Sequence, residues 1–226
     1  MFNHKPVDIP EVSTKNINRK RFYDTPTGFY PSITTVLGVR KEKKAGLQAW
    51  RNRVGNDVAN HIMRTAASRG TAVHTMCEDF LNNKEVLKEE FAFLPWCLFS
   101  QLKPTLEKRI DNIYAQEKPL YSDHLGLAGT VDVVGEFDEK LSIIDFKTSR
   151  QSMIGDKYGK LEKYFRQAAG YAVMFEERYK FPINSLVIIA AVAGKSEPEV
   201  FTSKRDTHIG GLIDMVKEYK QHHNQL

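Results

Sequence analysis

Cysteine is scarce in this 226-residue chain. Cys77 and Cys97 are too few for a four-thiolate zinc site, an iron–sulfur cluster or a disulfide framework, and they fit free thiols in a reducing compartment. No hydrophobic run approaches the roughly 20 residues of a membrane-spanning helix. Ala193-Gly194-Lys195-Ser196 mimics the end of a phosphate-binding loop, but Ile189 stands where that loop needs its first glycine, so no ATP-driven activity follows. Internal repeats and low-complexity segments are absent. The first ten residues have no hydrophobic signal core, and their acids and prolines do not suit a mitochondrial presequence. A cytoplasmic protein is expected, in the host cytoplasm if a virus encodes it.

Acid is sparse near the start. Residues 1–70 hold 13 Lys and Arg against 5 Asp and Glu, a balance of +8, while the remainder carries −3. The basic residues cluster as Arg19-Lys20-Arg21, as Arg40-Lys41 with Lys43-Lys44, and as Arg51 with Arg53. They are interleaved with Phe22, Tyr23, Phe29, Tyr30 and Trp50. Bases track phosphates and rings stack on unpaired nucleobases, so the segment as a whole favours a nucleic-acid-facing surface, although each residue singly suits a solvated helix face or a core. With 41% hydrophobic and 27% charged residues, the chain has enough apolar material for a substantial core.

The most informative stretch sets charges into apolar strands. Val131, Val133 and Val134 flank Asp132, and Leu141, Ile143, Ile144 and Phe146 flank Asp145, with Lys147 two residues on. A hairpin centred on Asp138-Glu139 puts Asp132 directly opposite Asp145, where like charges repel unless a cation lies between them. Asp145 and Lys147 share one face of their strand. Two acids and a base of this kind suit a hard divalent ion such as Mg²⁺ beside a substrate phosphate, or equally a structural ion pair. Arg69-Gly70-Thr71 predicts a helix start, after which His74 and Glu78 lie i, i+4, so that Glu78 can hold the imidazole. Glu117 falls in a segment read as a strand, and Gln167 with Tyr171 shares a helix face.

In order and spacing, His74, Glu117, Gly129-Thr130-Val131-Asp132, Asp145-Phe146-Lys147 and Gln167 with Tyr171 resemble the RecB-like branch of the PD-(D/E)XK nuclease superfamily. The resemblance covers roughly residues 69–195. Arg69-Gly70-Thr71 with His74 is similar to the histidine motif of mitochondrial and bacteriophage exonucleases of that branch. It implies an α/β restriction-endonuclease-like core, a mixed central sheet flanked by helices, here over residues 69–226, with residues 1–68 as an arm and helical, basic extension. It further implies Asp132, Asp145, His74 and the Phe146 carbonyl as metal ligands, Lys147 positioning the attacking water, and Gln167 and Tyr171 touching substrate or nucleophile. Glu117 joins the catalytic set and Arg69 the DNA-binding set, to which the basic and aromatic composition of the N-terminal segment adds Trp50, Arg51 and Arg53. The four cluster-binding cysteines of many members are missing.

The function expected is Mg²⁺-dependent DNA exonuclease action, with Mn²⁺ able to substitute, on single-stranded DNA with a free end. Roles in replication, repair or recombination alongside proteins of those processes would follow. A duplex-processing 5′ exonuclease and a silent DNA-binding protein on the same fold are the alternatives.

The secondary-structure pattern predicts an arm with a hairpin at 21–30, a helix capped by Ser32, an amphipathic helix over 45–67 and a separate His74 helix from Gly70. A helix over 94–113 should be kinked or broken by Pro104. Strands follow near 114–122, 126–136 and 140–147, then a loop at 151–160 bordering the site and a helix over 161–179. A buried strand at 185–192, a pairing segment at 199–202 and a helix over 206–222 complete the chain.

Overall fold

The structure, a computed structural model, describes residues 1–18, 20–38, 41–156 and 159–223, with backbone only for 41–45 and 223. Arg19, Arg40 and the side chains of Lys41, Lys43 and Lys44, part of the expected basic surface, lie outside the described residues.

Five strands form the central sheet in the order β4 (Ile110–Ser122), β5 (Leu127–Phe137), β6 (Lys140–Ser149), β7 (Ser185–Val192) and β8 (Glu199–Lys204). All neighbours are antiparallel except β6 and β7, which run parallel across the crossover helix α5 (Lys160–Tyr179). This is a mixed α/β architecture consistent with a PD-(D/E)XK-like core. Alternating apolar residues supply both faces. Ile143, Leu186 and Ile188 pack against α1 (Ile33–Val36), α5 and α6 (Arg205–His223), while Ile144, Phe146, Val187 and Ile189 pack against α3 (Asn56–Leu81) and α4 (Phe93–Arg109). β7 is covered on both sides, as its unbroken apolar run predicts.

The arm is more ordered than a single hairpin. β1 (Ser13–Ile17), β2 (Lys20–Thr25) and β3 (Gly28–Pro31) make an antiparallel sheet, tied to β5 by a bridge from Ser32 to Ala128 and by a Tyr23 hydroxyl 3.1 Å from Thr130 Oγ1. The Ser32 side chain caps α1 as expected, accepting from the Thr35 amide, but that helix lasts one turn.

The helix boundaries move. The amphipathic segment expected as one helix over 45–67 breaks at Gly55, between α2 (Lys41–Val54) and α3, and α3 then runs unbroken through Gly70 to Leu81. It thereby crosses the 68/69 division. Gly55 adopts φ +85° and ψ 148°, a region essentially closed to residues with a Cβ, whereas Gly70 is an ordinary helical residue. Arg51 spans the break, its guanidinium 2.5 Å from Asn60 Oδ1 and 3.3 Å from Asn56 Oδ1. Likewise α4 runs through Pro104 and ends only at Arg109, which grips the tight β5–β6 turn through Asp138 at 2.9 Å. Gly55→Ala should therefore lower unfolding free energy by about 1–3 kcal/mol, while Gly46→Ala, in α2 with nothing near the added methyl, should not destabilise. Urea midpoints of the two variants test the assignment of the break.

Candidate active site

The β5–β6 hairpin turns on Asp138 and Glu139, both at positive φ, with Phe137 paired to Lys140. Its ladder ends at Val133 and Ile144, yet both strands continue. One step further, the register sets Asp132 opposite Asp145, as the hairpin reading expects. There the Asp132 carboxylate replaces the backbone ladder, its Oδ2 accepting from the Phe146 amide at 2.7 Å. On the other side, Gln116 pairs with Val133 and Lys118 with Val131, so Glu117 stands opposite Asp132. Glu117 takes φ +46°, an uncommon conformation for a non-glycine residue.

Into this opening α3 directs His74. Its Nε2 lies 2.9 Å from the Phe146 carbonyl oxygen, which can only accept, so Nε2 carries the hydrogen and Nδ1 faces the acids. Nδ1 is 3.6 Å from Asp132 Oδ2 and 3.8 Å from Glu117 Oε1. One ligand atom each from His74, Glu117 and Asp132 falls within 4.8 Å of the others, the geometry of a cation site. Burial alone would lower the imidazole pKa. The Asp132 and Glu117 carboxylates, with Asp145 behind them, outweigh it and raise it to about 9.

Asp145 is placed differently. It is 1% exposed and ion-paired with Lys147, whose ammonium also lies 5.0 Å from the centre of the Tyr164 ring. The structural ion pair that the residues allowed is thus present. Burial, opposed by Lys147 and assisted by Asp132, raises the Asp145 pKa; Lys147, buried but facing two carboxylates, is raised also. From α5, Gln167 Nε2 donates to Tyr171 Oη at 3.1 Å and reaches Asp145 Oδ1 at 3.5 Å. Burial near these acids lifts the Tyr171 pKa well up, so the phenol remains a donor. The motif glycine is explained by contact: a Cβ on Gly129 would lie 2.7 Å from Tyr171 Cε1.

A cavity of about 440 Å³ opens over the cluster, lined by His74, Glu117, Gly129, Asp132, Gln167 and Tyr171 and roofed by Arg21, Tyr23 and Ser32 to Thr34. Of the expected metal ligands, His74 and Asp132 gather with Glu117, Asp145 is ion-paired with Lys147, and the Phe146 carbonyl meets His74 Nε2. Glu78 does not hold the imidazole. Its backbone carbonyl accepts from Gln116 at 2.8 Å, and its carboxyl, raised by burial and by Glu117, lines the cavity. Trp50, Arg51 and Arg53 line none of it, nor do the described residues of the 151–160 loop, which border a separate pocket with Ser149. Tyr164 was missed, although it lies on the helical stripe of Gln167 and Tyr171, three residues before the first.

Comparison with known proteins gives distant matches. The chain is similar to mitochondrial genome maintenance exonuclease 1 of Homo sapiens, 26% identical over 157 residues, which is 67% of this chain and 45% of that protein. To the protein of the same name from Xenopus tropicalis it is 27% identical over 179 residues, 73% of this chain and 49% of that one. The chain spans about half the length of these curated relatives. No family model matches it.

Because the folded-state pKa of His74 lies above the ordinary 6.5, its pairing with the carboxylates stabilises the chain fully below about pH 6.5 and is lost as pH rises through about 9. In chelator, His74→Gln is expected to be less stable than the wild type at pH 6, by a margin that shrinks by up to about 3 kcal/mol at pH 9.5. Urea unfolding at both pH values measures it, and a margin independent of pH would remove the carboxylates as the partners of the imidazole.

Proposed function

We propose that this chain is a metal-dependent DNA exonuclease that hydrolyses phosphodiester bonds, acting on single-stranded DNA with a free end. The observation that carries the reading is the cluster of His74, Glu117 and Asp132 at the foot of a cavity, beside the buried Asp145–Lys147 pair. The similarity to proteins named as exonucleases supports it.

The donor set fits a divalent cation: two carboxylates and an imidazole nitrogen face one another, and their charge draws a proton onto His74. Mg²⁺ or Mn²⁺ held there would supply Lewis-acid stabilisation of charge developing on the phosphate. The chain's own groups do the rest. Asp132 is fixed by the Phe146 amide and His74 by the Phe146 carbonyl, so the backbone of one residue orients two ligands. Asp145 and the Tyr164 ring hold the Lys147 ammonium, with 17% of the side chain exposed, where it can orient an attacking water. Tyr171 accepts from Gln167 and keeps its own hydrogen for a phosphate oxygen in the cavity it lines. Preference for single strands rests on the arm: Phe22 and Phe29 stack at 5.1 Å on its outer face with Lys15 5.9 Å from the Phe29 ring, whereas Tyr23 is buried.

End-labelled single-stranded, blunt duplex and circular DNA, each with Mg²⁺ and with chelator, test the reading. Metal-dependent loss of label from linear single strands alone is expected; faster digestion of the duplex would make this a duplex-processing 5′ exonuclease, and cutting of circles an endonuclease. Lys147→Ala should still bind DNA while turnover falls by a factor of about 10³. Retained cutting with normal metal dependence would rule out the mechanism.

A further inference from the structure

Arg69 is the buried charge that the cluster leaves unused. It is 8% exposed in mid-α3, its Nε is without an acceptor among the described residues, and no described carboxylate pairs with it or with Arg150. Burial, and to a lesser degree the charge of Arg150, act to lower its pKa. A buried cation lacking a counter-charge is unfavourable, and a second cation beside it more so, unless an anion is the intended partner.

The backbone locates this pair relative to the cluster. His74 meets the Phe146 carbonyl, and one turn back along α3 a Cβ on Gly70 would stand 3.8 Å from Thr148 Oγ1. Four helical residues and two strand residues both advance about 6 Å, so α3 and β6 run alongside each other in opposite directions. Arg69 follows next on α3 and Arg150 in the bend just past the end of β6, beyond the cluster and off the wall of its cavity. A forked guanidinium donates two parallel hydrogen bonds to phosphate oxygens, and two such groups suit one tetrahedral anion.

We propose that Arg69 and Arg150 form a seat for the non-bridging oxygens of one phosphate of the substrate strand, next along from the linkage presented to His74, Glu117 and Asp132. This rests on the nuclease reading and adds to it a register: the strand is held by a neighbouring phosphate while another is cut.

The test uses the full chain carrying Lys147→Ala, bound to a single-stranded oligonucleotide across a salt series. Adding Arg150→Gln, at an exposed position, should weaken binding at least fivefold and reduce the slope of log affinity against log salt by about 0.7, one phosphate contact. Arg69→Gln should do the same, and Arg69→Lys should keep the slope but not the full affinity. Oligonucleotides with a single neutral methylphosphonate should show one linkage whose neutralisation weakens the Lys147→Ala protein and leaves the arginine variants indifferent. Unchanged affinity and slope in Arg150→Gln, with wild-type cleavage intact, would overturn the seat and spare the nuclease. A wild type that neither binds nor cuts DNA would overturn the nuclease reading, and the seat with it. Inorganic phosphate that raises the melting temperature of the wild type and not of Arg150→Gln, with DNA binding equal in both, would reassign the pair to a free anion and overturn the strand contact.

Discussion

Everything at this site depends on the 2.7 Å hydrogen bond from the Phe146 amide to the Asp132 carboxylate. It stands where a strand-to-strand bond would otherwise continue the β5–β6 ladder, and it lets the two strands part without leaving a buried amide unsatisfied. An unbroken sheet would keep the helices on its two faces apart. With the ladder opened, His74 from α3 and Gln167 and Tyr171 from α5 reach the same space.

The electrostatics follow from that geometry. Glu117, Asp132 and Asp145 occupy facing positions on three consecutive strands, a row of acids that a buried sheet tolerates only with cations beside it. Lys147 answers Asp145. A proton on His74 answers the other two, and the raised imidazole pKa records how strongly they draw positive charge. The same attraction is what a divalent ion would use, so stability without metal and affinity for metal have one origin. The Phe146 backbone serves both halves, its N–H donating to one ligand and its carbonyl accepting from another.

The arm contributes by closing space rather than by adding charge to the cluster. Tyr23 and Ser32 bind it to the open end of β5, so the three-stranded sheet roofs the cavity, and its aromatic residues divide into inward structural rings and an outward stacked pair. Arg51, which composition assigns to nucleic acid, has in addition a contact within the fold. It fastens α2 to α3 across Gly55, since a break in a helix leaves side-chain amides nearby that a guanidinium can satisfy.

The sequence by itself determined what depends on local periodicity and short-range pairing. The alternation in β5 and β6, the apolar run of β7 and the Asp138-Glu139 turn require the strands, and the turn sets the register that opposes Asp132 to Asp145. Only tertiary structure decided the rest. Whether Gly55 or Gly70 ends a helix depends on a backbone angle that neighbouring packing imposes. Whether Asp145 or Glu117 faces His74 depends on how Lys147 is held and on the positive φ at Glu117, and neither leaves a mark in spacing. Whether an arginine is a helix fastener, like Arg51, or a buried cation with no carboxylate partner among the described residues, like Arg69, depends on what the fold brings within a few ångströms, because residue type sets charge while only packing sets its surroundings.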